Sequence, residues 1–305
     1  MIYTVTFNPS LDYVMFLPTL NVGGVSRAER EVIFPGGKGI NVAVVLERLG
    51  HACTALGFKA GYTGETILSM LRGHLPRVDF ISLSQGQNRI NVKIKSTQES
   101  DVNGRGPEVP APYIENLLHK LNQLQPNDVL VLSGAVSAGV SSDVYARIVA
   151  QLQPRGVLCV VDAVGPLLKA ALPFRPFLIK PNAAELAHLF GVTISNEEEL
   201  LQYARKAQEQ GAQNVLVSCA ENGALLLTEQ GQVLRAPAVT LTGPVVNSVG
   251  AGDSMVAGFL AGWLHTHRYD VALQWAVAAG GACVMNEWLP EKKDILAFIP
   301  QEKTA

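Results

Sequence analysis

The stretch Asn247-Ser248-Val249-Gly250-Ala251-Gly252-Asp253-Ser254 packs small residues into a turn, sets an acid just after it, and runs into the apolar segment Met255 to Leu264. A helix beginning at about Ala251 directs several free backbone N–H groups at whatever occupies the turn. That is an anion site, suited to a phosphate or to the charge that develops as one is transferred. Asp253, in the first turn, is then placed to hold or deprotonate an acceptor hydroxyl beside the anion. A carboxylate next to a glycine anion hole suggests phosphoryl transfer. Asp and Ser at a helix start also serve as simple caps, and the turn alone does not separate the two roles.

A second glycine cluster, Phe34-Pro35-Gly36-Gly37-Lys38-Gly39-Ile40-Asn41, closes one strand and opens a helix reaching about Leu49. Glycines let the backbone approach a ligand, Lys38 can meet an anion, and Asn41 can exchange hydrogen bonds with hydroxyls. The spacing is neither that of a Walker P-loop nor that of a dinucleotide fingerprint. Asp12, in Asn8-Pro9-Ser10-Leu11-Asp12, lies just beyond the first strand, where a substrate carboxylate or a turn-forming Asp would sit. Arg89 and Lys93 share one face of a strand because side chains repeat every second residue. Lys180-Pro181-Asn182-Ala183-Ala184-Glu185 follows another strand. There Asn182 and Glu185 have capping-box spacing, and their hard oxygens also suit magnesium and phosphates.

These residues need a frame. Asp128–Leu132, Val157–Val161 (ending at Asp162), Phe177–Lys180 and Asn214–Ser218 are apolar strand runs, with helices at Ser142–Leu152 and Ala183–Phe190 between them. The alternation predicts an α/β core, a doubly wound and mostly parallel sheet covered on both faces. Residues 12–34 and 87–103 break the rhythm with short alternating runs and no helices. They predict a small antiparallel sheet with one wet face, inserted into the core as a lid and offering a surface for pairing with a second chain.

The 305 residues carry a formal net charge of −2 and are 48% hydrophobic, enough for one large domain. Scattered basic residues argue against a nucleic-acid or membrane-surface partner. No apolar run approaches the roughly 20 residues that cross a bilayer, and the N-terminus shows no secretory leader. Cys53, Cys159, Cys219 and Cys283 are far apart and read as buried thiols of a reducing compartment, so a cytoplasmic chain is expected. His265 and His267 do not face each other on a helix, and no Gly-x-Ser-x-Gly elbow is present.

Together, Gly36–Asn41, Lys180–Glu185 and Asn247–Ser254 resemble the ribokinase-like, phosphofructokinase-B type carbohydrate kinases, in the right order and over nearly the whole chain. Met1–Asp12, Arg89–Lys93 and Asn103–Glu108 are similar to the branch holding 1-phosphofructokinase and tagatose-6-phosphate kinase. The resemblance implies a single ribokinase-like domain over 1–305 with a β lid, and ATP- and Mg²⁺-dependent phosphorylation of a ketose phosphate. Fructose 1-phosphate is the expected acceptor and tagatose 6-phosphate the alternative. A non-catalytic sugar-phosphate sensor is the reading of another class, and retention of Asp253 with its glycine loop speaks against it.

Asp253 is implied as base, with the amides of Gly250, Ala251 and Gly252 as anion hole. Asp12, Gly37, Lys38, Asn41 and Arg89 are implied for the sugar phosphate. Lys180, Asn182, Ser218, Gly223 and Ser248 are implied for the nucleotide, and Glu185 for the metal. Two segments depart from the family pattern. Ser133–Ser137 replaces a Ser-Gly-Ser-Leu-Pro run near the acceptor, and Gly281–Pro290 replaces a small, polar run around the adenine pocket.

Overall fold

Strand β1 (Ile2–Thr6) runs into β2 (Ser10–Phe16) and β3 (Arg30–Gly36), followed by α1 (Lys38–Arg48), β4 (Cys53–Lys59), α2 (Gly61–Leu71) and β5 (Arg77–Ser82). Next come β6 (Arg89–Lys95), β7 (Ser100–Asn103), α3 (Ala111–Leu121) and β8 (Val129–Ser133). Strand and helix then alternate through α4 (Val144–Leu152), β9 (Leu158–Asp162), α5 (Pro166–Ala171), β10 (Leu178–Ile179), α6 (Ala183–Phe190), α7 (Glu197–Glu209) and β11 (Asn214–Ser218). The hairpin β12 (Ala224–Leu227) and β13 (Val233–Ala236) precedes α8 (Ala251–Thr266), α9 (Tyr269–Val284) and α10 (Lys292–Leu296). This computed structural model describes residues 1–299.

The large sheet has the order β13-β12-β11-β10-β9-β8-β1-β4-β5, parallel except where β12 and β13 fold back. Successive side chains of a strand point to opposite faces, and the buried runs divide accordingly. Val129, Val131, Val160 and Leu216 pack with α1, α8 and α9, while Leu130, Leu132, Val161 and Val217 pack with α3, α4, α5 and α7. Fully buried parallel strands therefore read as continuous apolar runs. The predicted strand at 177–180 is shorter than expected, keeping only Leu178 and Ile179 in the ladder. Pro181 has no N–H to donate and restricts Lys180 before it, so regular pairing stops there.

The second sheet, ordered β3-β2-β6-β7, is built from both segments that lacked helices. Its outer pairs, β3 on β2 and β7 on β6, are antiparallel as expected, but the central pair corrects that arrangement: β2 and β6 run parallel, Ser10 opposite Arg89 through Phe16 opposite Lys95. The cause is topological. Both β2 and β6 leave the same edge of the core, after the parallel strands β1 and β5, so they set out in one direction. The expected wet face is also apolar in part, with Ile33, Ile90 and Val102 at 44%, 48% and 62% exposure.

The segment after α9 ties this sheet to the core. Trp288 stacks on Phe34 of β3 at 5.6 Å between centroids and 5° between planes, with His74 edge-on at 4.8 Å and the Arg48 guanidinium 5.1 Å from its ring. Beside it Arg30 forks onto Glu287 at 3.1 and 2.6 Å. Both ends of that ion pair are half exposed, and water screens such pairs. Most of the strap's strength therefore lies in the aromatic contacts. Trp288→Ala is expected to lower unfolding stability by about 2 kcal/mol, and Glu287→Gln by less than about 1 kcal/mol, in urea melts. The reverse order would make the ion pair the dominant tie.

Candidate active site

The chain winds outward from β1 to β4 and β5, then from β8 outward the other way, so strand order reverses between β1 and β8. In such sheets the crevice beyond the carboxyl ends of the strands is where ligands bind. A cleft of about 330 Å³ opens there, between the core and the small sheet. Its lining includes Asp12, Gly37, Lys38, Asn41, Arg89, Lys180, Asn182, Glu185, Ser218, Gly250, Gly252 and Asp253, all expected from the sequence. Ser10, Asn91, Lys93 and Val249 complete it.

The floor is the start of α8. Gly250 has φ +86°, a left-handed conformation that glycine adopts without strain and that lets the chain turn sharply into the helix. No side chain caps this helix. Asp253 instead accepts a hydrogen bond from Asn41 Nδ2 at 2.8 Å and is only 5% exposed, so the simple-cap role does not account for it. The Ala251 amide turns back to the Ser248 carbonyl at 3.3 Å, and the Ser254 amide donates to the Gly250 carbonyl at 2.8 Å. Gly250 and Gly252 line the cleft, whereas Ala251 does not.

Charge is concentrated on this floor. Lys38 Nζ donates to Asp162 Oδ2 at 3.1 Å, and Lys180 Nζ lies 3.6 Å from Oδ1 of the same carboxylate. Burial pushes Asp162 toward protonation, but Lys180 and Lys38 outweigh it and hold the carboxyl below its ordinary range. For Lys38, burial works against the charge, but Asp162, Asp253 and Glu185 win and raise its proton affinity. Asp253 is the converse case. Burial and the like charge of Asp162 push it up to about 6, against the opposing effects of Lys38, Asn41 and Lys180.

The wall opposite comes from the small sheet. Asp12 Oδ1 accepts from Ser10 Oγ and from Asn91 Nδ2, each at 2.8 Å. A Cβ on Gly36 would lie 2.5 Å from Asp12 Oδ2, so only glycine lets this carboxylate lie against β3. Arg89 Nε donates to the Asn8 carbonyl at 3.1 Å, and Lys93 Nζ reaches Asp101 Oδ2 at 3.2 Å. Asn41 Oδ1 and Asn91 Oδ1 are buried with no protein partner, two acceptors positioned for donors such as hydroxyls. Lys38, Arg89, Lys93 and Lys180 face Asp12, Glu185 and Asp253 around the cleft. The lining thus holds one more cation than anion, which suits anionic ligands.

At the far end, Asn182 and Glu185 form the predicted capping box: Asn182 Oδ1 accepts from the Glu185 amide at 2.7 Å, and Glu185 Oε2 from the Asn182 amide at 2.9 Å. Ser218 bridges to Asn182 from the end of β11. Gly223 and Ser248 lie outside the lining. Gly223 occupies the turn before β12, where a Cβ would meet the Ala236 carbonyl at 2.1 Å, and Ser248 is exposed in the loop before α8. In the sequence Asp162 reads only as the end of a strand. Asn91 and Ser10 share the two-residue alternation of Arg89 and Asp12, so the pattern that marked those two also marks them. Of the two departing segments, Gly134 backs the Lys38 side chain, at 3.5 Å from a Cβ placed on it. Trp288 packs on β3 and is absent from the lining.

The balance around Asp253 gives a direct check. Replacing Lys38 by Met removes the largest opposing influence, so the Asp253 carboxyl is expected to titrate above about 6 in a carboxyl ¹³C shift titration. An unmoved midpoint would show that Lys38 does not act on Asp253.

Comparisons with known proteins agree with this geometry. The model of the pfkB family carbohydrate kinases matches residues 5–287. The chain is 39% identical over 303 residues to 1-phosphofructokinase of Bacillus subtilis, covering 99% of each. It is 34% identical over 290 residues to D-tagatose-1-phosphate kinase of Bacillus licheniformis, covering 95% of this chain and 94% of that one. The crystal structure of phosphofructokinase-2 from Escherichia coli in complex with substrates and products superimposes with a TM-score of 0.91 at 27% identity, covering 98% of both chains. The switch-point cleft, the glycine turn with its buried acid and the match along nearly the whole chain place this protein in the pfkB family of carbohydrate kinases, phosphotransferases with a hydroxyl acceptor on a ribokinase-like fold.

Proposed function

We propose that the chain phosphorylates fructose 1-phosphate with ATP, giving fructose 1,6-bisphosphate and ADP. The observation that carries this reading is the placement of Asp253, buried at the start of α8 and facing the basic and amide-bearing wall of β2 and β6 across one cleft. Asp253 orients the acceptor hydroxyl and takes its proton. The amides of Gly250 and Gly252 face the charge on the moving phosphoryl group, while that of Ala251, given to the Ser248 carbonyl, braces the turn. Asp12 and Asn41 hold sugar hydroxyls beside Gly37, while Lys38 and Arg89 meet the phosphates. Lys180, Asn182 and Ser218 lie toward the nucleotide, whose outer part extends past the cleft toward Gly223 and Ser248. Little covalent chemistry falls to the protein, and positioning with charge stabilisation supplies the rate.

Magnesium fits the far end. No cluster of three His, Cys, Asp or Glu occurs among the described residues, and this metal does not need one. It keeps several waters and uses one or two carboxylates along with substrate phosphates. Glu185 is the carboxylate in place, with Oε2 engaged in the cap. Glu185 would hold the ion, which would supply neutralisation of part of the phosphates' charge.

The small sheet acts as a lid that excludes water as a competing acceptor. Its outer face, with Ile33, Ile90 and Val102 exposed, supports pairing of two chains through their lids. We place this work in the cytoplasm; no helix among the described residues is long and apolar enough to cross a membrane. A second acceptor is favoured by the Bacillus licheniformis relative, whose name places a phosphate on carbon 1 of tagatose. Tagatose 6-phosphate, the alternative from the sequence, places it at the other end.

ADP release by the purified protein with ATP and Mg²⁺ is expected to be fastest on fructose 1-phosphate, slower on tagatose 1-phosphate and slowest on tagatose 6-phosphate. No turnover on any of them would refute the assignment. Asp253→Asn is expected to lose roughly 10²–10⁴-fold in kcat. Because the base must be deprotonated, wild-type kcat falls below pH about 6, roughly tenfold per unit. In sedimentation, the protein at micromolar concentration is expected as a dimer that Ile90→Lys dissociates; a wild-type monomer would remove the pairing.

A further inference from the structure

We propose that Asp162 is the positioning residue of this cleft, holding the ammonium groups of Lys38 and Lys180 in place before either anionic substrate arrives. The proposal rests on the kinase reading above. Asp162 is 1% exposed, ends β9 and does not line the cleft, so it acts through the two lysines that do. Each of its oxygens takes one of them, Oδ2 taking Lys38 at 3.1 Å and Oδ1 taking Lys180 at 3.6 Å.

The two lysines come from opposite flanks. Lys38 opens α1 beside the small sheet, and Lys180 follows β10 on the nucleotide side. Lys180 also marks its own location: a Cβ on Gly252 would lie 3.1 Å from its Nζ, so this ammonium sits against the first turn of α8. The carboxylate is in turn fixed by the sheet. Ser133 of β8 pairs with Asp162, whose carbonyl accepts the Gly134 amide at 2.9 Å.

The chemistry follows from what each group would do alone. Lysine side chains carry large rotamer entropy, and two ammonium groups converging on one site repel. A buried carboxylate between them removes both difficulties in advance. Charge stabilisation is most effective when the dipoles and charges need no reorganisation as the reaction proceeds. Asp162 also lies near enough to Asp253 for its negative charge to favour the protonated form of that acid.

Asp162→Asn keeps the side-chain shape and removes the charge. The expected result is a fall in kcat of roughly 10²-fold, with the acid limb of the pH profile displaced to lower pH. A residue that merely supports the fold would reduce the active fraction and leave that limb in place. Comparing Lys180→Met with Asp162→Asn/Lys180→Met protects against a single variant that fails to fold, because the double change also removes the buried Lys180 charge and leaves only the partly exposed Lys38 without its carboxylate. If Asp162 acts through the lysines, its loss costs less in the Lys180→Met background than in the wild type; fully multiplicative losses overturn the proposal.

A substrate-free measurement separates this proposal from the kinase reading. The ¹³Cε groups of Lys38 and Lys180 are expected to be rigid in the unliganded wild type and mobile in Asp162→Asn by NMR relaxation. Lysines that stay rigid overturn the positioning role even if the wild type proves an active kinase. Wild-type inactivity on all three sugar phosphates overturns the kinase reading alone.

Discussion

Two carboxylates buried within one cleft floor need compensation, and the distribution of that compensation shapes the site. Moving an unpaired carboxylate out of water costs several kcal/mol even after relaxation. Asp162 and Asp253 share two lysines, and the sharing is uneven. Asp162 makes the contacts to both ammonium groups, while Asp253 has the Asn41 amide as its hydrogen-bond donor. One acid is thereby kept ionised and the other raised to about 6. Pairs of titratable groups driven apart by their surroundings are a common basis for acid–base assignment. Here the separation arises because the start of α1 and the end of β10 both bring a lysine to the acid ending β9, while the acid of α8 meets an amide.

The rest of the architecture serves that placement. Parallel strands bring Asp162 and Lys180 to a common edge, and α1 and α8 present Lys38, Asn41 and Asp253 there from one layer. The small sheet adds Asp12, Asn91 and Arg89 from the opposite side. Its attachment through Phe34 and Trp288 ends close to the glycine turn. Leu289 and Cys283 approach the Gly250 Cβ position at 3.0 and 3.6 Å, and Asn247 Nδ2 donates to the Glu287 carbonyl at 3.1 Å. The unusual segment 281–290 thus touches both the small sheet and the start of α8.

Local signals were legible where local chemistry decides the outcome. The helix Ala183–Phe190 and the strand Asn214–Ser218 begin and end where capping and apolar patterning place them. The turn before α8 was visible for a similar reason, because few sequences pack glycines so tightly ahead of an acid. Long-range pairing was not visible. Nothing near Ser10 or Arg89 announces that their strands run side by side in one direction. Asp162 escaped because an acid at a strand end looks the same whether it meets water or two lysines; only the convergence of α1 and β10 tells them apart. Trp288 resembled a substitution in a ligand pocket, whereas the ring it stacks on, Phe34, lies on a strand some 250 residues earlier.

The parallel pairing of β2 with β6 also orders events in time. Closing a loop costs more entropy as the chain between its ends lengthens, and non-local contacts form late. Between β2 and β6 lie β3 of the small sheet itself and then α1, β4, α2 and β5, much of one flank of the core. The two strands are brought together only when that flank has docked β4 and β5 beside β1. Assembly of the cleft therefore waits on the core. That flank ends at β5, so a nascent chain has all of the wall in hand before the lysine beyond β10 and the acid of α8 are synthesised.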